Sequence, residues 1–167
     1  MTATAAPRTQ QVARLAAVVG VLGIADGLAA LGDHGRVTAD YVRSLHLPGT
    51  PAPDTSRWDG LVAATSVEAL VAVVIGVALL LRGGRTVFAM AAVLSAFALG
   101  TTVLAIATMA ELEAIAVGPL QLSPATTAVG IATAAIISIG AAAFGWHDAP
   151  SESHIQTPHM PPPTHQA

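Results

Sequence analysis

Four long blocks of apolar residues divide the chain, and polar residues gather between them. The blocks run over about Val12–Leu31, Leu61–Leu81, Val87–Ala110 and Ala125–Trp146. None alternates with a period of two, as membrane strands would. At 1.5 Å of rise per residue, about twenty residues cross the roughly 30 Å hydrocarbon layer, and each block reaches that length. Within lipid a helix pairs its own backbone groups, so helices are the elements that fit. The pattern predicts an all-α integral membrane protein. Its expected form is a four-helix antiparallel bundle with a larger first extracytoplasmic loop and a disordered C-terminal tail. The expected segments are an N-terminal stretch 1–11, spans 12–32, 61–81, 87–110 and 124–146, an outer loop 33–60, a turn 82–86, a second outer loop 111–123 and a tail 147–167.

The boundaries have local causes. Gly83-Gly84 supplies a tight turn between the second and third spans. Gly118-Pro119 ends whatever helix precedes it, and Ser123-Pro124 starts the fourth, with Ser as N-cap and Pro where its missing N–H costs nothing. Pro48, Gly49, Pro51 and Pro53 make the first loop irregular. Within that loop residues 38–47 are expected to form a short helix along the membrane surface, with Tyr41, Val42 and Leu45 as its apolar face. The first block follows Arg8 and Arg14, as a signal peptide would. It is read as a retained span, because it is long and carries Asp26 and Gly27 inside its apolar run.

Composition narrows the class further. Hydrophobic residues make up 53% of the 167 residues and charged ones only 10%, with a mean hydropathy of +0.66. Soluble domains are nearer a quarter charged, so too few charges are available to cover a water-soluble surface. The net charge is −3 and no basic run occurs, which argues against nucleic acid as a partner. There is no Cys, hence no disulfide, thiolate-bound zinc or iron–sulfur cluster. All seven basic residues are Arg. That Lys-free, Ala-rich usage fits a GC-rich bacterial genome and points to a bacterial inner membrane. Arg8, Arg14, Arg82 and Arg85 flank the expected cytoplasmic side, whereas Arg36, Arg43 and Arg57 share their loop with Asp33, Asp40, Asp54 and Asp59. The positive-inside rule then puts both termini in the cytoplasm of a plasma-membrane protein.

Small residues spaced to let helices approach closely mark three spans. They are Gly20, Gly23 and Gly27 with Ala16 and Ala30, then Ala92, Ala96 and Gly100, then Gly130, Ala134 and Ser138. These stripes can pack the bundle itself, bind another protein's helix, or join copies of the chain. The expected partners are therefore the lipid bilayer, other membrane subunits or the chain itself.

Asp26 and Glu68 are the two carboxylates placed inside the spans. An ionisable group there costs about 3 kcal/mol on insertion scales and normally faces the interior or a wet cavity. Both are expected some 8–10 Å below the outer surface, on consecutive antiparallel helices. If they meet, like charges in low dielectric cannot both ionise cheaply, and a shared proton or a cation would sit between them. Otherwise each is protonated and bonded to a backbone carbonyl or a Thr, is paired with Arg36 or Arg57, or contacts a missing partner subunit.

His154, His159 and His165, with Met160, carry side chains that suit copper or nickel. Their separations of five and six in a Pro-rich tail preform no geometry. No nucleophile elbow, P-loop, dinucleotide fingerprint or H-E-x-x-H occurs. The expectation is a protein that is no enzyme and carries no cofactor. It would serve as an accessory or interaction subunit, with an ion- or proton-coupled transporter and a metal-handling protein as alternatives. Four antiparallel spans occur in many unrelated proteins, so the layout itself transfers no function.

Overall fold

The computed structural model describes residues 6–113 and 124–148. These form four helices: α1 Ala6–Ser44, α2 Ser56–Leu81, α3 Arg85–Glu113 and α4 Pro124–Asp148. All four are long and apolar enough to cross a membrane. The all-α, multi-pass reading holds, and no strand occurs among the described residues. The expected second outer loop beyond Glu113, the Ser123 cap and the tail histidines lie outside the described residues.

The helices overrun the apolar blocks because a helix does not stop where the hydrocarbon does. This matters most for α1. With 39 residues it is about 58 Å long, nearly twice the hydrocarbon thickness. The separate surface helix expected at residues 38–47 is not formed, because residues 38–44 continue α1. No Pro interrupts α1 between Pro7 and Pro48, and its two late glycines are held by packing. Gly32 lies against Thr65 and Gly35 against Val62 of α2. Asp33–Arg36 and Asp40–Arg43 pairs, three residues apart at 3.1 and 2.9 Å, support the projecting part.

Helix α1 is the centre of the packing, with α2 on one flank and α4 on the other. Helix α3 leans mainly on α4 and touches α2 more lightly. Large side chains face outward, among them Leu70, Val74, Val93, Phe97, Leu104, Ile136 and Phe144. The interior is rich in Ala. One layer gathers Ala17, Val21, Ala72, Leu79, Phe88 and Ala141, and a second gathers Ile24, Leu28, Leu61, Ala98, Ile131 and Ala135. Small inside and large outside suits lipid, where close approach rather than water exclusion drives association. Two buried hydroxyls are satisfied within their own helix, Ser95 by the Ala91 carbonyl at 2.7 Å and Thr102 by that of Ala98 at 2.6 Å, whereas the buried Ser138 Oγ has no partner among the described residues.

The loops close tightly. Gly83 adopts φ +55°, a left-handed conformation that lets the chain reverse between Leu81 and Arg85. At the other end Arg43 Nη2 lies 2.7 Å from both oxygens of Asp59 and 3.0 Å from Thr55 Oγ1. A cation on the last turn of α1 and a carboxylate on the first turn of α2 complement both helix dipoles, so this knot fixes the two ends against each other.

Candidate functional site

The register between helices places the two intramembrane carboxylates. Gly32 faces Thr65 and Gly76 faces Leu22, so α1 and α2 run antiparallel with Asp26 opposite the level of Val71 and Ala72. Asp26 is thus near the middle of α2. Along α1 it lies about 18 Å from Arg14 and about 10 Å from Asp33, at 1.5 Å per residue. Glu68 sits about one turn closer to the Ser56 end of α2.

They do not share a site. Glu68 is half-buried on the side of α2 that meets α3, and Thr101 Oγ1 donates to its Oε1 at 2.6 Å. Its Oε2 is buried and without a partner. Thr65, three residues earlier on α2, lies against α1 and donates to the Leu61 carbonyl at 3.0 Å. Asp26 points outward from α1 and is exposed. It makes no hydrogen bond or ion pair among the described residues. Arg36 pairs with Asp33 instead of either carboxylate.

Asp26 stands on a patterned face. Val12, Leu15, Val19, Leu22, Asp26, Ala29 and Asp33 are all exposed and recur at alternating steps of three and four. That is the spacing of a helix-pairing seam. At 100° per residue it lies opposite Ala17, Val21, Ile24 and Leu28, which are buried in the interior. Apart from Leu22, which also touches Gly76 of α2, the described neighbours of α1 leave this seam uncovered.

The small-residue stripes divide in their use. Gly20 backs onto Ser138 and Ala134, Gly23 onto Ala134, and Gly27 onto Ile131, so the α1 stripe meets α4. Ala92 packs against the inner layer. Ala96 is exposed, and Gly100 and Gly130 have nothing within 4 Å of an added Cβ. Two close approaches carried no stripe to reveal them: Gly145 beneath the Phe88 ring, and Gly76 beside Leu22.

No family model, curated protein or solved structure matches the chain. Function must therefore come from the site.

Among the described residues, no three His, Asp or Glu converge as metal ligands. His34 and His46 do not gather with acidic side chains, and His46 Nδ1 lies 3.4 Å from Thr50 Oγ1. At the opposite end Arg14 donates through Nε to the Leu79 carbonyl and through Nη2 to that of Leu80. An arginine expected only as an orientation marker thus caps the end of α2. Thr101, Thr55 and Asp59 were likewise not singled out by the sequence. The distant partner of each becomes visible only once the register is known.

Proposed function

We propose that this chain is a non-catalytic interaction subunit of a larger plasma-membrane complex. In this reading it is an antiparallel bundle with both termini in the cytoplasm, and it docks a partner's transmembrane helix on the open α1 seam. One observation carries the reading: Asp26, level with the middle of α2, lies on the outside of the helices with no partner among the described residues. A carboxyl group facing lipid is unfavourable by about 3 kcal/mol, and cover by a polar partner removes that cost. The exposed small residues Ala29 and Ala30 beside it leave room for a second backbone.

Charge decides the kind of partner. Two copies of this chain enter the membrane the same way up. Docked two-fold through the same seam, they would set Asp26 against Asp26. Like carboxylates in low dielectric repel, whereas a helix bearing Arg, Lys or another strong donor at that depth is complementary. Purification in a mild detergent tests this. The wild-type chain should bring down a stoichiometric membrane partner with a basic or amide side chain in a span. Asp26→Leu should lose it, and Glu68→Gln should keep it. A clean wild-type monomer, or a complex indifferent to Asp26→Leu, overturns the proposal.

A second reading draws on the unpartnered Glu68 Oε2, buried beside Thr101. Such an oxygen can hold a proton or a cation, as a small oligomeric ion-coupled carrier would require. Flux in proteoliposomes separates the two, since Glu68→Gln abolishes transport only under this second reading.

A further inference from the structure

At the α1 N-terminal end of the helices a depression of about 230 Å³ is lined by Gln10, Gln11, Arg14, Arg82, Gly83 and Gly84. From its residues we infer a phosphate-binding site, taking the phosphate of an anionic lipid headgroup or of a soluble phosphate compound.

Several independent features converge there. Arg14 forms part of the wall, and its Nε and Nη2 are already committed to the Leu79 and Leu80 carbonyls. Its charge is held in place with no carboxylate among the described residues to neutralise it. Arg82, on the facing wall, is exposed and forms no ion pair among the described residues. Arg85 stands next along the chain, its Nε buried and without a partner. The side-chain amides of Gln10 and Gln11 add donors.

The backbone adds a further donor set. Val87 and Phe88 N–H groups bond the Gly84 carbonyl at 3.1 Å, so α3 begins at this rim. The two N–H groups ahead of these, on Arg85 and Thr86, come too early in the helix to have a helical acceptor and can face an anion favourably. Gly83 and Gly84 carry no side chain that would fill the space. Arg8, Arg14, Arg82 and Arg85 occupy this end, against one acidic residue among those described there, Asp148. A planar guanidinium with several N–H donors is suited to a phosphate. A basic pocket between helices at a membrane surface is where anionic headgroups are held.

Binding is read as the rise in thermal midpoint of the detergent-purified chain and as lipid retained in native mass spectrometry. The probes are phosphatidylglycerol, phosphatidylcholine and inorganic phosphate, each added alone. Phosphatidylglycerol should raise the midpoint and stay bound at one or two molecules per chain, while phosphatidylcholine should do neither. Arg82→Gln should cut the retained lipid at least fivefold. Arg8→Gln, which removes a charge outside the depression, should change it less than twofold. A rise produced by inorganic phosphate and lost in Arg82→Gln assigns the same site to a soluble phosphate. Equal losses in Arg8→Gln and Arg82→Gln would mean diffuse attraction and overturn the site. So would the absence of any response to both phosphatidylglycerol and phosphate.

Discussion

Thr101 and Glu68 tie α3 to α2 across the lightest of the sequential helix contacts, with the Thr101 hydroxyl donating to Glu68 Oε1 at 2.6 Å. An acceptor that loses its donor in such a setting costs about 1–3 kcal/mol. Thr101→Val, nearly the same shape, should therefore lower the stability of the detergent-solubilised chain by about 1–2 kcal/mol in an unfolding titration. Glu68→Gln keeps a carbonyl oxygen for Thr101 and should cost under about 0.5 kcal/mol. A large loss in Glu68→Gln would mean that the carboxylate works through a bound ion or proton rather than through Thr101.

The α1–α4 contact has a sharper test. An added Cβ at Gly20 would come 2.8 Å from the Ser138 backbone nitrogen and 2.9 Å from the Ala134 carbonyl oxygen, neither of which can swing aside. Gly20→Ala should thus force the helices apart at a cost of about 1–3 kcal/mol. Gly100→Ala meets nothing within 4 Å and should leave stability level or raise it by up to about 1 kcal/mol through helix propensity. Paired thermal unfolding of the two variants measures the difference.

Much of this architecture can be read from the residues alone, because hydropathy over twenty-residue blocks reports directly on solvent. Glycine spacing marks a stripe on α1 but does not say what it meets; the structure sets it against α4. What could not be read is which faces meet. Asp26 and Glu68 share similar depth and adjacent helices, yet they diverge because α2 turns Glu68 toward α3 while α1 turns Asp26 away from all three neighbours. A rotation of one helix by a single residue, 100°, would have changed that outcome, and no local pattern fixes it. The length of α1 was hidden for a different reason. Hydropathy marks where lipid ends, and the charged continuation from Asp33 to Ser44 is helical through pairs and packing that hydropathy does not weigh.

The first turn of α2 should respond to acid. Thr55, its N-cap residue, makes no side-chain cap bond, and Asp54 Oδ1 instead accepts from the Ser56 N–H at 2.9 Å. Hydrogen bonds from Ser56, side chain before backbone, hold the Asp54 carboxyl below its ordinary 3.8, and the Arg57 charge adds to this. For a carboxyl depressed on folding, the stabilisation is complete above the unfolded value and disappears as pH falls through the folded one. The Asp54 carboxyl resonance should therefore titrate below 3.8, with amide protection over residues 56–59 falling in the same window. Asp54→Ala should weaken that pH dependence and leave the part due to Asp59, whose carboxyl the Arg43 and Thr55 hydrogen bonds also hold low.

Topology can be read with single cysteines, since the native chain has none. Thr9→Cys lies in the first turns of α1 and Thr50→Cys in the loop beyond its other end, both at exposed positions. In intact cells a membrane-impermeant maleimide should label Thr50→Cys and spare Thr9→Cys until the membrane is permeabilised. The reverse pattern would turn the molecule over and place its four-arginine end outside.

Asp26 yields the prediction that separates internal from external use. A carboxyl group that served the fold would leave its partners unsatisfied when removed, and Asp26→Leu would then destabilise the isolated chain. Asp26 instead bonds to nothing among the described residues and stands on an open seam whose other positions are Val12, Leu15, Val19 and Leu22. Asp26→Leu should therefore leave the purified chain as stable as wild type, or more stable by up to about 3 kcal/mol, as insertion scales weigh a mid-membrane Asp. In the same preparation the substitution should cost the chain its partner. Equilibrium unfolding of the isolated chain gives the first quantity, and recovery of the complex from mild detergent gives the second. Destabilisation of the isolated chain by more than about 1 kcal/mol, well beyond the usual effect of an exposed substitution, would show that Asp26 belongs to the fold and that the seam is not a docking face.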